Sequence, residues 1–466
     1  MQPPGGRWAW LFDIGSTFTK LAVVDLDDPR RIHHAQSPTT VSTDVREGFF
    51  EAVRKVESDG GPAFANAHFR SACSSAAGGL ALVVSGLVPR LSAEAGRVAA
   101  LGAGAKLVGT ASYRLTDSDL EDLRSKRPDI VLLTGGTDGG DRQTLLANAA
   151  ALARWPGCPR VIVAGNREVS EEAGRTLAAA GIAVTVTPNL LPELDRLEVD
   201  AVRDAIRREF LDTIVHAKGI DKVAEHLDAP ILPTPAIVLE AVRKLAETEF
   251  PAGVMVIEVG GATTNVHSFA PTRVESGVIT RGLPEPDLKR TVEGDLGVRW
   301  NAATILEMAG PAWFEARGAD DSSALAAYVE KVAGSPRTLP GTAAERDYDR
   351  LLATFAASSG IRRHCGRQRE RMLPEGPVLV QEGKDLRKVA VVIGTGGSLI
   401  EAADPASILA EATSSNDPFE LLPSNPRRLI DSRYVLYATG LLAAAHPEVS
   451  VELARQSLVQ PAPVGS

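Results

Sequence analysis

Apolar residues run from Trp8 to Ile14, stop at a glycine-rich break, and resume to residue 25, which predicts a β-hairpin over 8–25. Val45, Phe49, Phe50, Val53 and Val56 then recur at helical spacing, so 45–58 reads as a helix. From about 80 to 190 the pattern alternates between short apolar runs and amphipathic stretches. Strands are expected at Leu80–Val88, Lys106–Thr110, Ile130–Leu133, Arg160–Ala164 and Ala183–Thr187, and helices at Ala93–Ala105, Asp117–Lys126 (N-capped by Thr116), Arg142–Trp155 and Ser170–Ala180. Strands alternating with helices mean a parallel sheet covered on both faces, a domain in its own right. Helices follow by spacing at 195–228 and 236–248. Then come a second apolar hairpin, a mostly helical stretch at 297–373 with an exposed loop at Pro336–Gly341, and the strand Val389–Ile393 leading into a glycine turn within 389–402. Val459–Ser466 reads as a disordered tail.

Composition narrows the class without naming it. A chain of 466 residues exceeds one hydrophobic core, so several domains are expected. With 44% hydrophobic and 23% charged residues it is an ordinary globular composition, and 5% aromatics means aliphatic cores. A net charge of −9 argues against general nucleic-acid binding. No long uncharged apolar run suggests a membrane span, and no apolar signal core follows Met1, so a cytoplasmic location is expected. Cys73, Cys158 and Cys365 are too widely spaced for a disulfide frame or a metal knuckle.

Two segments share one grammar: Leu11-Phe12-Asp13-Ile14-Gly15-Ser16-Thr17-Phe18-Thr19-Lys20 and Val256-Ile257-Glu258-Val259-Gly260-Gly261-Ala262-Thr263-Thr264-Asn265. In each, an apolar strand delivers an acid, then glycine, then small hydroxyl residues, then a second strand. Glycine lets the backbone turn its N–H groups inward on a phosphate. Ser16, Thr17, Thr263 and Thr264 would add hydroxyl donors, and Asp13 would hold Mg²⁺ through water. A late Gly394-Thr395-Gly396-Gly397 turn completes a duplicated arrangement suited to a nucleotide.

These residues resemble the actin-like ATPase superfamily of sugar kinases, heat-shock ATPases and dehydratase activators. That resemblance implies an α/β fold of duplicated actin-like (ribonuclease H-like) lobes with an inserted doubly wound α/β domain, binding ATP and Mg²⁺. It implies nucleotide contacts from Gly15, Ser16, Thr17, Lys20, Gly260, Gly261, Thr263, Thr264, Gly394, Gly396 and Gly397, and catalytic carboxylates at Asp13 and Glu258. Glu293-Gly294-Asp295-Leu296-Gly297 is similar to a heat-shock ATPase element, making Asp295 a candidate ligand. The expected parts are lobe I at 8–79, a flavodoxin-like insert at 80–190, a helical return at 191–252, the start of lobe II at 253–296, a mostly helical subdomain at 297–375, an adenosine-binding part at 376–458 and the tail at 459–466.

Ser74-Ser75-Ala76-Ala77-Gly78-Gly79-Leu80, Leu133-Thr134-Gly135-Gly136-Thr137-Asp138-Gly139-Gly140, Thr291-Val292-Glu293-Gly294-Asp295-Leu296-Gly297-Val298-Arg299 and Tyr434-Val435-Leu436-Tyr437-Ala438-Thr439-Gly440-Leu441-Leu442 carry a closer resemblance, to the glutamate mutase L (MutL) family. It implies an ATP-driven accessory protein, a reactivase or chaperone, for an adenosylcobalamin-dependent mutase of the glutamate mutase type. Alternatives are a small-molecule kinase of the same superfamily and a nucleotide-gated scaffold without turnover.

The 80–190 block resembles the cobalamin-binding domain of such mutases, against a background of generic doubly wound topology. It contains no histidine to ligate cobalt, so no directly bound cobalamin is expected. Asp138 follows a strand edge where ligands gather, although Asp-Gly among glycines is also ordinary turn chemistry. Arg362–Arg371 is the one dense basic run, read as a solvated helix face or a dock for an acidic partner. Turnover is expected to be slow. Glu258 replaces the usual aspartate, Thr234 stands where heat-shock ATPases carry a glutamate before proline, and Asn265 removes another charge. On residue type alone, Glu258→Asp should keep or raise the rate.

Overall fold

The computed structural model describes residues 6–15, 18–40, 44–75, 80–214, 220–272, 275–319, 321–374 and 376–461. Two compact units divide the chain. One is Met1–Val238 with Gly282–Pro284 and Ala444–Val449; the other is Leu239–Arg281 with Glu285–Ala443 and Ser450–Ser466.

The first unit is built on a five-stranded sheet whose spatial order is Ile32–Pro38, Phe18–Asp25, Trp8–Ile14, Phe69–Ser74, Leu232–Pro233. The first three strands form an antiparallel meander, and the last two run parallel to Trp8–Ile14. Trp8–Ile14 is buried at every position, as a central strand covered on both faces must be. Ile32–Pro38 is half exposed and polar, which suits an edge. Helix Val45–Ser58 starts at Asp44, whose side chain accepts from the Arg46 amide, and its Phe49 ring stacks on Phe12 at 4.1 Å between centroids.

Between Ser74 and Leu232 the chain builds an all-parallel sheet with spatial order Lys106–Ser112, Ala81–Gly86, Ile130–Leu133, Arg160–Val163, Val184–Val186. Numbered along the chain this is 2-1-3-4-5, the flavodoxin-like doubly wound order expected from the alternating pattern. One face of it, including Leu82, Val84, Ile130 and Leu132, joins the core of Trp10, Phe12 and Phe49. The other face packs with Leu145, Leu152, Val169 and Leu177. The expected helix at Ala93–Ala105 is shorter, Glu94–Gly102 after a π-helical turn Pro89–Ala93. It stops early because Gly104 takes φ +90°, with a side chain there only 2.7 Å from Pro233 Cβ.

The second unit repeats the sheet of the first. Its order is Leu288–Glu293, Thr264–Phe269, Val254–Val259, Val391–Thr395, Arg427–Asp431, Leu458–Val459. Again three antiparallel strands precede two parallel ones. The sixth strand brings Val459 into the sheet against Ile430, so order extends into the expected tail. Helices Ala302–Ala309, Ser322–Gly334 and Ala343–His364 bury Ile305, Val329 and Leu352 with Met255 and Ile257 of the sheet.

The 297–373 stretch is not helical throughout. Helix Ala343–His364 ends inside the basic run, and Arg367–Leu373 is a strand paired with Gly376–Glu382, which also pairs with Val278–Arg281. The reading of Arg362–Arg371 as one helix face is therefore corrected. His364 is fully buried, bonded to Ser268 Oγ at 2.7 Å and Thr291 Oγ1 at 2.9 Å, while Arg367, Arg369 and Arg371 alternate on an exposed strand.

Candidate functional site

In the first hairpin Asp13 faces Lys20 across the antiparallel pair and Cys73 on the parallel neighbour. The sheet thus sets the acid between two side chains, and the start of helix Thr234–Thr248 supplies the third. Thr234 Oγ1 donates to Asp13 Oδ1 at 2.8 Å, and Cys73 Sγ lies 3.7 Å from the same oxygen. Asp13 is only 4% exposed. Burial raises its pKa above the usual carboxylate range, opposed by Lys20 and by the Thr234 and Cys73 bonds. Gly15 closes the turn by donating to the Phe18 carbonyl at 3.0 Å, and a Cβ on Gly15 would lie 2.7 Å from that oxygen. Ser16 and Thr17 lie outside the described residues.

The second hairpin has the same register. Glu258 faces Asn265 as Asp13 faces Lys20, and Gly260 donates to the Thr263 carbonyl at 3.0 Å as Gly15 does to Phe18. Its tip is clamped by the loop Gly294–Asn301. Val298 donates to the Gly260 carbonyl, Arg299 and Trp300 to that of Gly261, and Asn301 Nδ2 to that of Ala262. Gly297 allows this approach, since a Cβ there would lie 2.3 Å from the Ala262 carbonyl. Arg299 is itself held by two bonds to Asp349, which also accepts from Tyr328. With the tip carbonyls bound, the amides of Gly261, Ala262 and Thr263 donate to no protein group among the described residues. Three successive amides at a clamped turn are a donor set that an anion could meet.

The third turn packs on this hairpin. Gly396 has φ +91°, and a Cβ there would be 2.5 Å from the Val259 carbonyl. Gly394 packs beneath it on Ile430, and Gly397 is open. The fold thus brings Glu258, Gly260, Gly261, Thr263, Gly394, Gly396 and Gly397 into one neighbourhood of the second unit.

Three predicted residues are otherwise engaged. Thr264 is fully buried and donates to the Leu296 carbonyl at 2.8 Å. Asp295 accepts two bonds from Arg363, at 2.7 and 2.9 Å, which hold its pKa below the usual carboxylate range. Asp138 accepts from the Arg167 amide and from Asn189 Nδ2 at 2.8 Å, stitching its glycine-rich loop, as the turn-chemistry alternative has it. Sequence reasoning missed the Thr234 bond to Asp13 and the buried polar residues His267 and Arg290 beside the second hairpin. Among the described residues no group of three or more His, Cys, Asp or Glu is placed to hold a metal, and no helix is long and apolar enough to cross a membrane. Burial pushes the Cys158 thiol up to about 12 and that of Cys365 to about 11, so both stay thiols near neutral pH.

The repeated sheet, with its two hairpins in one register, defines a duplicated actin-like fold with an inserted doubly wound domain. A family model described as MutL protein matches residues 9–458, and the chain belongs to that family. Protein MutL of Clostridium tetanomorphum is 39% identical over 456 residues, covering 97% of this chain and 99% of that one. Among solved structures, an ATP-dependent caprolactamase from Pseudomonas jessenii matches at TM-score 0.41 and 13% identity, covering 94% of this chain and 70% of that one. A nucleotide-free diol dehydratase-reactivating factor matches at TM-score 0.37 and 12% identity, covering 95% and 100%.

Proposed function

We propose that the protein binds ATP with Mg²⁺ and acts as an accessory protein for an adenosylcobalamin-dependent mutase of the glutamate mutase type, with slow ATP hydrolysis. The observation that carries nucleotide binding is the clamped turn Gly260–Thr263, whose three free amides suit a phosphate. In this reading Gly394, Gly396 and Gly397 receive the adenosine, and Gly15, Ser16, Thr17 and Lys20 are candidate nucleotide contacts within the first unit. Mg²⁺ needs only one or two carboxylates, because it keeps waters and takes phosphate oxygens. Asp13 suits such a water-mediated role. Its burial and its bond from Thr234 favour a restrained acid, in keeping with slow turnover.

The mutase partner is what this chain's resemblance to glutamate mutase L implies, and membership of the MutL family supports it. The insert would dock on the mutase and leave cobalamin alone, since no histidine lies within 80–190. ATP would drive the partner only if its bound and free states differ in mutase affinity.

The test is calorimetric titration of ATP, with and without Mg²⁺, into the full chain and into Gly261→Asp. A carboxylate at 261 places negative charge against phosphate, and ATP binding should vanish. Unchanged affinity in that variant ends the nucleotide assignment. A thermal-shift panel of sugars separates the kinase reading, and co-purification of the full chain with the mutase subunits tests the partner.

A further inference from the structure

Register places Glu258 opposite Asn265, and His267 opposite Arg290, on adjacent strands of the second unit. Asn265 and His267 are two apart on one strand, so all four project from one face of the sheet. They form a line. Arg290 Nη2 donates to Asn265 Oδ1 at 2.9 Å, and Asn265 Nδ2 donates to Glu258 Oε2 at 3.2 Å. Asn265 is 8% exposed, Arg290 6% and His267 not at all. Burial draws the Arg290 pKa down to about 10 despite the opposing pull of Glu258, so the guanidinium is still charged at neutral pH. Burial first, then the Arg290 charge, keeps His267 neutral.

An amide carries separate donor and acceptor groups, so Asn265 can donate to a carboxylate and accept from a guanidinium at once. Aspartate at 265 would have no donor for Glu258, and leucine would have neither group. The reach matters as well. The extra methylene of Glu258, compared with Asp13, carries the carboxylate to Asn265. A buried cation on an aliphatic sheet gives no net stability over well-packed apolar residues, so packing alone does not account for Arg290.

We propose that Arg290, acting through Asn265, is a positioning residue that fixes the Glu258 carboxylate beside the Gly260–Thr263 turn for its part in ATP hydrolysis. This rests on the nucleotide reading above.

The test is a double-mutant cycle on the full chain, read by calorimetric Mg·ATP affinity, single-turnover hydrolysis and melting temperature. Glu258→Gln should slow the single-turnover rate. Arg290→Met should slow it by between about 10- and 100-fold, with ATP affinity changed by less than about threefold. Arg290→Lys should recover part of the rate, since it keeps the charge without the fork. In the Glu258→Gln background Arg290→Met should slow the reaction no further. Additive losses, or an Arg290→Met rate equal to wild type, overturn the inference while leaving the nucleotide reading standing. If Arg290→Met does not fold, Asn265→Leu cuts the same line one step nearer Glu258, and an undiminished rate there overturns it equally. Wild-type protein that binds ATP without hydrolysing it also overturns the inference. Wild-type protein that does not bind ATP removes the nucleotide reading and the inference together.

Discussion

The two hairpins have one backbone and two electrostatic settings. In the first, the acid is the short Asp13, which faces Lys20 and takes neutral donors from Thr234 and Cys73, with its pKa pushed up by burial against the pull of Lys20. In the second, the acid is the longer Glu258, reached by an amide that is itself held by a buried arginine. Register is conserved between them, Asp13 to Lys20 and Glu258 to Asn265, while the groups behind the carboxylates are not. Hairpin geometry alone thus does not assign a chemical role; the residues behind the turn do. In the first a cation, Lys20, faces the acid directly across the pair, and in the second the cation reaches the acid only through an amide, which suits a fixed carboxylate.

The comparison breaks most readily at the turns. A Cβ on Gly15 would meet the Phe18 carbonyl at 2.7 Å, and one on Gly260 the Thr263 carbonyl at 3.0 Å. Both obstacles are backbone, so neither can swing aside, but the first is the more severe. Gly15→Ala should cost about 1–3 kcal/mol of local stability and cut ATP affinity by roughly 100-fold, and Gly260→Ala by roughly 10-fold. Titration of ATP into both variants checks the order. Equal losses would mean that the two turns do not carry the phosphates in the way their register implies.

The next effect concerns the acids. Residue type alone led to the expectation that Glu258→Asp keeps or raises the hydrolysis rate. The Asn265 bond reverses the sign, because aspartate withdraws the carboxylate by about 1.5 Å from an amide already at 3.2 Å. The single-turnover rate should fall by about tenfold. Asp13→Glu should fall for the opposite reason, as the longer acid overfills a site closed by Thr234. A faster Glu258→Asp would show that the relay does not position the acid.

What the sequence made legible was what depends on near neighbours. Strand, acid, glycine and hydroxyls specify a hairpin within ten residues, and the alternation of 80–190 yields the doubly wound order because each unit is local. Longer-range facts were hidden. Arg367–Leu373 reads as polar and helix-compatible, and its strand state comes from pairing with Gly376–Glu382. Thr263 and Thr264 look like equivalent donors, but Thr263 closes the turn while Thr264 opens the strand and is spent on the Leu296 carbonyl. Asn265 reads as the loss of a charge until Arg290, 25 residues on, is found at its other end. Thr234 reads as a missing acid until it is found bonded to Asp13 across 221 residues.

The smallest effect is a stability change confined to the first hairpin. Burial raises the Asp13 pKa above its ordinary value of 3.8, so the folded protein holds this proton more tightly than the unfolded chain. Any stability from the protonated acid is present below pH 3.8 and is lost as pH rises through the folded value. Above that, ionised Asp13 weakens the ligand-free fold. Asp13→Asn removes the charge and keeps an acceptor for Thr234, so the variant should melt higher than wild type at pH 8, by roughly 2–4 °C for about 1 kcal/mol. The gap should close as pH falls towards 4. Calorimetric scans of both proteins across that range, without nucleotide, decide it. A gap independent of pH would mean that Asp13 is not the strained acid of the pair, and the contrast between the two hairpins would then rest on Glu258 and its arginine alone.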